Sequence, residues 1–391
     1  MVPVGHLYDS SYIRHVPPLY SPSQVETYLK KIGYDAPLED VKPNLDTLRA
    51  VMVKHILMCP MDNTDLHYTE RHHMPVTPQE MYQNMVVGSK GSYCFGQNGL
   101  FLGMLRGLGF RAYGGPGRVV VPARSPTPNY PLEYTALHHL VIFVQPHPEP
   151  YERVTYLVDV GFGGTGPMRP ILFASGEGNA GRQVTKEGDF KGGWEWGTYP
   201  PERHRIVPGA FMDSSLESHP GSGKPPLRDW HMQVSHTPGV DASKREWTTL
   251  YTFTDKLEFL QWDIDAGSLS VSLMPGAIFH RTIVCLARFP AELDEKYTSG
   301  EALDSEELRL VSGSGEGSQK LEWVGKWTLE ARRATKRIGG TVLEMKTFRS
   351  ERERLEVIRD VFGIGVNVED ARWIVGRESE LLDEGDTQSK S

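Results

Sequence analysis

Apolar positions recur every three or four residues through the first hundred residues, and this period predicts four helices. Ser21-Pro22-Ser23-Gln24 is a capping box with proline at the first helical position. Val25, Tyr28, Leu29 and Ile32 follow at helical spacing, and Gly33 ends the run. Asn44 opens a second helix carrying Leu45, Leu48, Met52 and Ile56. Thr77-Pro78-Gln79-Glu80 repeats the cap signal ahead of Met81 and Met85. The fourth helix follows Cys94, with Leu100, Phe101, Met104, Leu105 and Leu108 on its inner face and Gly109 past its end. Gly96, Gly99 and Gly103 weaken its intrinsic propensity, so packing has to hold it.

The period then shortens. Arg118-Val119-Val120-Val121-Pro122, Leu137 to Val144 and Val154 to Val160 are short, β-branched and bounded by proline or glycine, so they read as strands. From about Gly176 to Lys224 the chain is rich in glycine, proline and serine and reads as loops. Trp247 to Phe253 and Ile278 to Ala287 read as strands, and Ser350-Glu351-Arg352-Glu353 caps a helix with Leu355, Ile358 and Val361. The tail after Arg377 is acidic and polar and is expected to be disordered. Helices first, strands next and a mixture last predict an α+β fold.

Composition narrows the function classes. The chain has 391 residues with 39% hydrophobic and 24% charged, which is globular and too long for one ordinary core. A net charge of −8 supplies no basic footprint for nucleic acid. No run of eighteen apolar residues predicts a membrane span, and the start lacks the layout of a signal peptide. Three cysteines, Cys59, Cys94 and Cys285, fit a reducing compartment, and the expected location is cytoplasmic. Neither a permanent cofactor nor an obligate protein partner is implied.

Candidate chemistry centres on Lys90-Gly91-Ser92-Tyr93-Cys94-Phe95-Gly96-Gln97-Asn98. Small residues lead into a cysteine at a helix start, where backbone N–H groups and the helix dipole favour an anionic sulfur. Such a sulfur attacks carbonyls, and the same N–H groups hold the resulting oxyanion. His139 and Asp159 lie in strands apolar on both faces, where an unpaired carboxylate is costly. A hairpin centred on Glu149 puts His139 directly opposite Asp159, with Cβ atoms about 5 Å apart, and points His138 to the other face. A slip of one residue would separate them.

These residues resemble the arylamine N-acetyltransferase family. The family's Arg-Gly-Gly-aromatic-Cys pattern, ending in Asn four residues on, reads here as Lys90 to Asn98. Its His-Leu-Leu-Leu-x-Val run is similar to His139 to Val144, and its Val-Asp-Val/Ala-Gly-Phe-Gly to Val158-Asp159-Val160-Gly161-Phe162-Gly163. A Tyr-Leu-x-x-Ile-Gly-Tyr helix appears at Tyr28 to Tyr34, and Pro-Phe-Glu-Asn as Pro60-Met61-Asp62-Asn63. The resemblance runs in order over about residues 21 to 375.

The resemblance implies three domains, a helical bundle over 1–110 carrying Cys94, a β-barrel-like domain over 111–240 carrying His139 and Asp159, and an α/β lid over 241–391, with a cysteine-protease-like core of papain or transglutaminase type. It implies ping-pong transfer of an acetyl or other short acyl group from acyl-CoA, the co-substrate, through a thioester on Cys94. The acceptors it implies are small arylamines, arylhydroxylamines or hydrazines, as in xenobiotic metabolism. Cys94, His139 and Asp159 would be catalytic; Phe162 and Gly163 would line the substrate pocket, and Thr135 would lie near the thioester end of CoA. The motif departs from the family at Met61, Asp62, Lys90, Ser92 and Gly96, where Phe, Glu, Arg, Gly and often Glu stand. A pair between Asp62 and Lys90, weaker than Glu with Arg, is the expected consequence. Two rival readings share the constellation: a cysteine hydrolase or amidase, and a non-catalytic relative that binds CoA or aromatics. Metal ligation at His67, His72 and His73 lacks any ligand spacing, and a solvated loop is expected there. The Gly161 to Gly166 run reads as a turn beside the site rather than a phosphate loop.

Overall fold

The computed structural model describes residues 5–121, 132–173, 183–184, 190–191, 194–211, 214–226, 229–238, 244–274, 276–297, 303 and 321–381. The helical half holds α1 (Pro22–Lys31), α2 (Leu45–Met58), α3 (Pro78–Met81) and α4 (Cys94–Gly107). The caps at Ser21 and Asn44 form, Ser21 accepting from the Gln24 N–H and Asn44 from that of Thr47, whereas the Thr77 hydroxyl donates to the Glu80 carboxylate and caps no N–H. The third segment is only one α-helical turn, and Tyr82–Val87 continues it as π-helix. α4 is buried on every side from Cys94 to Leu105, so packing rather than propensity holds it despite its glycines.

The strands are β1 (Met61–Asp62), β2 (Arg111–Val121), β3 (Glu133–Tyr134), β4 (His139–Gln145), β5 (Tyr156–Val158), β6 (Ile171–Leu172), β7 (Gln183–Val184) and β8 (Phe190–Lys191). There follow β9 (Glu195–Trp196), β10 (Arg203–Gly209), β11 (Asp229–Ser235), β12 (Thr248–Phe253), β13 (Cys285–Ala291), β14 (Trp323–Glu330), β15 (Arg333–Ile338) and β16 (Thr341–Thr347). The large antiparallel sheet runs β6-β5-β4-β2-β12-β11-β10-β9 with β3 on β2, and β10 returns against β6, so it nearly closes as a barrel. A second sheet runs β1-β13-β14-β15-β16 and packs with α7 (Glu351–Phe362). The fold is α+β. The elements interleave along the chain: β1, from the helical half, joins the second sheet, and β12 joins the barrel-like sheet.

Several expectations change. The stretch read as loops carries β9 and β10. Arg203 and His204 open β10 on opposite faces and are both fully buried, so apolar alternation gave no signal; residues 176–182, 185–189, 192–193 and 212–213 of that stretch lie outside the described residues. Ile278–Arg281 is a helical turn, α6, and the strand begins only at Cys285. Gln261–Leu273 forms a helix, α5, that apolar spacing did not announce, because glycine and serines occupy its inner face. The start of the tail is docked: Ser379 Oγ lies 2.8 Å from His67 Nδ1, and the Leu381 N–H donates to Glu351. The rest, 382–391, lies outside the described residues. Among the described residues no helix is long and apolar enough to cross a membrane.

Candidate active site

Cys94 is the first residue of α4, and Tyr93 before it is extended and gives no side-chain cap. The first N–H groups of the helix therefore face the sulfur's surroundings rather than a capping oxygen. His139 opens β4, and Asp159 lies one residue past β5. The strands pair Ile142 with Val158, Phe143 with Leu157 and Val144 with Tyr156. This register differs by two positions from the hairpin expected from sequence: extended, it sets Gly161 opposite His139, and Asp159 is the diagonal neighbour. A shift of two keeps both side chains on one face. His139 Nε2 and Asp159 Oδ2 are 2.7 Å apart, and both residues are 1% exposed. His138 turns the other way, to Ser270 Oγ at 2.7 Å, while its carbonyl lies 3.5 Å from Cys94 Sγ.

Asn98 joins the pieces. It is one helical turn beyond Cys94 and so on the same face of α4. Its Nδ2 donates to Asp159 Oδ1 at 2.9 Å and to the Leu140 carbonyl at 2.6 Å, and its Oδ1 accepts from the Val160 N–H at 2.9 Å. The sequence motif contained Asn98, but its role becomes visible only once the strands are placed. Gly161 then passes so close to the helix that a Cβ there would lie 2.7 Å from Cys94 Cα. Burial alone would lower the His139 pKa; the Asp159 carboxylate and the Cys94 sulfur outweigh it and push the imidazole up to about 10. Burial likewise opposes ionisation of Asp159, but His139, Asn98 and the Gly161 N–H hold its carboxyl below the usual range. The pair is an imidazolium–carboxylate at neutral pH. A sulfur at a helix start beside such a pair suits nucleophilic acyl chemistry.

Phe162 packs edge-on against the His139 ring, with centroids 5.4 Å apart, and tilts on Tyr251 at 5.0 Å. Tyr251, which sequence reading did not single out, also lies 4.8 Å from His139. Gly163 adopts φ +97°, and a Cβ there would press on Met61 Sδ. Thr135 is further out: its Oγ1 accepts from the Val119 N–H, and its carbonyl accepts from Arg118. A cavity of about 350 Å³ is lined by Pro116, Arg118, Leu137, Phe253 and Lys256, and none of Cys94, His139, Asp159 or Phe162 lines it.

A sequence profile of the N-acetyltransferase family matches residues 44–195. Over 213 residues the chain is 30% identical to the arylamine N-acetyltransferase of Mycolicibacterium smegmatis, covering 50% of this chain and 71% of that protein. The chain belongs to the arylamine N-acetyltransferase family. This acyltransferase is also 25% identical over 371 residues to an N-malonyltransferase of Fusarium pseudograminearum, covering 90% of this chain and 92% of that one. Its fold is that of the arylamine N-acetyltransferase from Salmonella typhimurium, with a TM-score of 0.61 at 17% identity over 90% of this chain and 97% of the other. A similar structure, that of Mycobacterium marinum arylamine N-acetyltransferase in complex with CoA, has a TM-score of 0.56 at 22% identity over 87% and 92%.

The shell beneath the acyltransferase's cysteine departs from expectation. Lys90 does not pair with Asp62: its Nζ lies 2.5 Å from Asp65 Oδ1, and Asn84 donates to the other oxygen of Asp65. Asp62 is 2% exposed, and its two oxygens accept from the N–H groups of Thr64 and Gly91. Both acceptors are thus engaged at a depth where an ammonium would have to shed its water, and Lys90 finds Asp65 nearer the rim. Burial raises the Asp62 pKa despite the Lys90 charge. Burial also opposes the charged form of Lys90, but Asp65 and Asp62 hold its pKa above the ordinary value. Behind the loop, Gln97 Nε2 donates to the Pro60 and Ser92 carbonyls, so its oxygen accepts from His55 Nε2, and His55 Nδ1 accepts from Tyr28. Burial lowers the His55 pKa to about 4, which keeps that chain neutral. His67 is not solvated as expected: it is fully buried against the Phe279 carbonyl and Asn63.

Proposed function

We propose that the acyltransferase works by ping-pong chemistry through a thioester on Cys94, with His139 moving protons and Asp159 and Asn98 orienting it. The observation that carries this is the enclosed His139–Asp159 pair at 2.7 Å, tied by Asn98 to the helix that begins at Cys94. In the first half-reaction the Cys94 sulfur, as thiolate, attacks the acyl-CoA carbonyl, and backbone N–H groups at the start of α4 hold the oxyanion. CoA leaves as its thiol, taking the proton from the His139 imidazolium. In the second half an amine attacks the thioester, neutral His139 takes the amine proton, and Cys94 leaves as thiolate. Phe162 and Tyr251 wall the site and keep water from competing with the amine.

The acceptor class is an arylamine, arylhydroxylamine or hydrazine, and the donor carries a short acyl group. Acetyl follows from the family resemblance; similarity along almost the whole chain to N-malonyltransferases puts malonyl beside it. Intact-mass spectra after incubation with acetyl-CoA and with malonyl-CoA test the reading. One acyl adduct on Cys94, discharged by an arylamine and absent in Cys94→Ala, is the expected result. An adduct discharged equally fast without amine would instead mark a hydrolase.

A further inference from the structure

The turn that follows Phe162 has three successive carbonyls, and each is held by a basic side chain from a different strand. Arg288 Nη2 on β13 donates to the Gly163 carbonyl at 2.5 Å, Lys326 Nζ on β14 to Gly164 at 2.6 Å, and His204 Nε2 on β10 to Thr165 at 2.7 Å. Arg288 and Lys326 are directly opposed partners in the second sheet, whereas His204 belongs to the barrel-like sheet. His204 is fully buried, Arg288 is 9% exposed and Lys326 is half-buried. Among the described residues neither Arg288 nor Lys326 has a carboxylate at ion-pair distance, and Arg288 Nη1 is buried without a partner. Buried cations are ordinarily paired with acids. The buried Glu202 carboxylate acts on both only across space, and their hydrogen bonds go to backbone oxygens, so their arrangement serves the turn.

We propose that Arg288, Lys326 and His204 are positioning residues that clamp the Gly163–Thr165 turn and thereby hold Phe162 against His139. Phe162 immediately precedes the clamped turn, and its ring edge closes one side of the His139 imidazole. Release of the carbonyls lets the turn and Phe162 retreat and admits water beside the His139–Asp159 pair. Water raises the local dielectric and loosens the charge coupling on which the pair depends. The second sheet, which supplies none of the three triad side chains, then sets the reactivity of the site from behind.

This inference rests on the triad reading above, so its test includes a rate that needs no acyl donor. Lys326→Met keeps the chain length at a half-buried position and removes the donor; Arg288→Met is the stronger variant. Each is combined with Phe162→Ala, and two rates are measured: alkylation of Cys94 by iodoacetamide and acyl transfer to an arylamine. We expect about tenfold slower rates in Lys326→Met or Arg288→Met, a loss of roughly one hydrogen bond to a charged donor. Lys326→Arg should recover most of that loss, and the Met substitutions should change either rate less than about twofold once Phe162 is gone. Rates unchanged in both Met variants, no recovery with arginine, or an undiminished effect in Phe162→Ala would each overturn the clamp. If the wild type is alkylated at Cys94 but never acylated, the proposed function fails, while the alkylation arm still decides the clamp.

Discussion

The side of the site built on α4, β4 and β5 and the side built on the loops around Asp62 and Lys90 are held in different ways. On the first, Cys94 and Asn98 share a helix face, and His139 and Asp159 share a sheet face. Backbone period sets those directions, so an error of two residues in strand register leaves the pair intact. On the second, Asp62, Asp65 and Lys90 project from short irregular segments, and burial chooses the partner. The buried Asp62 takes backbone N–H groups, and the flexible Lys90 goes to the rim. Geometry from regular elements tolerates change in reach; geometry from loops depends on it.

The largest effects should come from the first side. Cys94→Ala is expected to abolish the acyl adduct and turnover, and His139→Ala to lose most activity while His138→Ala mainly affects the contact with Ser270 on α5. Reversed severities for the two histidines would break the assignment. Asn98→Ala removes a bond to a buried carboxylate and strands the Val160 N–H. Loss of about 1.5–3 kcal/mol per charged hydrogen bond predicts a rate about 10- to 100-fold lower. Iodoacetamide should alkylate Cys94 ahead of Cys59 and Cys285, since burial raises the pKa of Cys59 to about 12 and of Cys285 well above the usual thiol value.

The same pair gives a pH signature. The folded-state pKa of His139 is raised from 6.5 to about 10, so its stabilising contribution is complete below pH 6.5 and is lost as pH rises through about 10. The depressed carboxyl of Asp159 contributes at pH values above its unfolded pKa and loses that contribution as pH falls through its folded pKa. Melting temperature measured from pH 6 to pH 10.5 should therefore fall more steeply for the wild type than for His139→Gln. Parallel curves would mean that the pair is not ionised as described.

On the second side, Lys90→Ala should cost about 3 kcal/mol, because it strands the Asp65 carboxylate in a partly buried position. Double-mutant cycles on chemical denaturation should give a larger coupling of Lys90 with Asp65 than with Asp62, which acts on it only across space. The opposite ranking would restore the pair expected from sequence.

The sequence made the grouping of Cys94, His139 and Asp159 legible because its signals are local and directional: a cysteine at a helix start, and acid and base at positions of equal parity on two apolar strands. The caps at Ser21, Asn44 and Ser350 were legible for the same reason. What escaped was non-local. β10 buries Arg203, which donates to the Pro201 and Thr237 carbonyls, and His204, which meets the Thr165 carbonyl 39 residues upstream, so its residues look like those of a loop. Tyr251 reaches His139 only because β12 pairs with β2, a neighbour far away in sequence. His67 looked solvated because the Phe279 carbonyl and Ser379 that satisfy it lie more than two hundred residues downstream.

The smallest expected effect concerns two departures from the family motif that occupy one space. A Cβ on Gly96 would lie 2.0 Å from Ser92 Oγ, which is itself buried without a hydrogen-bond partner. Ser92 fills the volume that a larger residue at 96 would need, so the two positions are complementary and their exchange is coupled. Gly96→Ala alone should destabilise by about 2 kcal/mol through overpacking, despite the better helix propensity of alanine. Ser92→Gly alone removes an unsatisfied hydroxyl but leaves a small void, and the two nearly cancel. In the Ser92→Gly background the Gly96→Ala change should become neutral or stabilising, since the clash is gone and the propensity gain of about 1 kcal/mol remains. Equal destabilisation by Gly96→Ala in both backgrounds, read from denaturation midpoints, would show that the cost at position 96 does not come from Ser92.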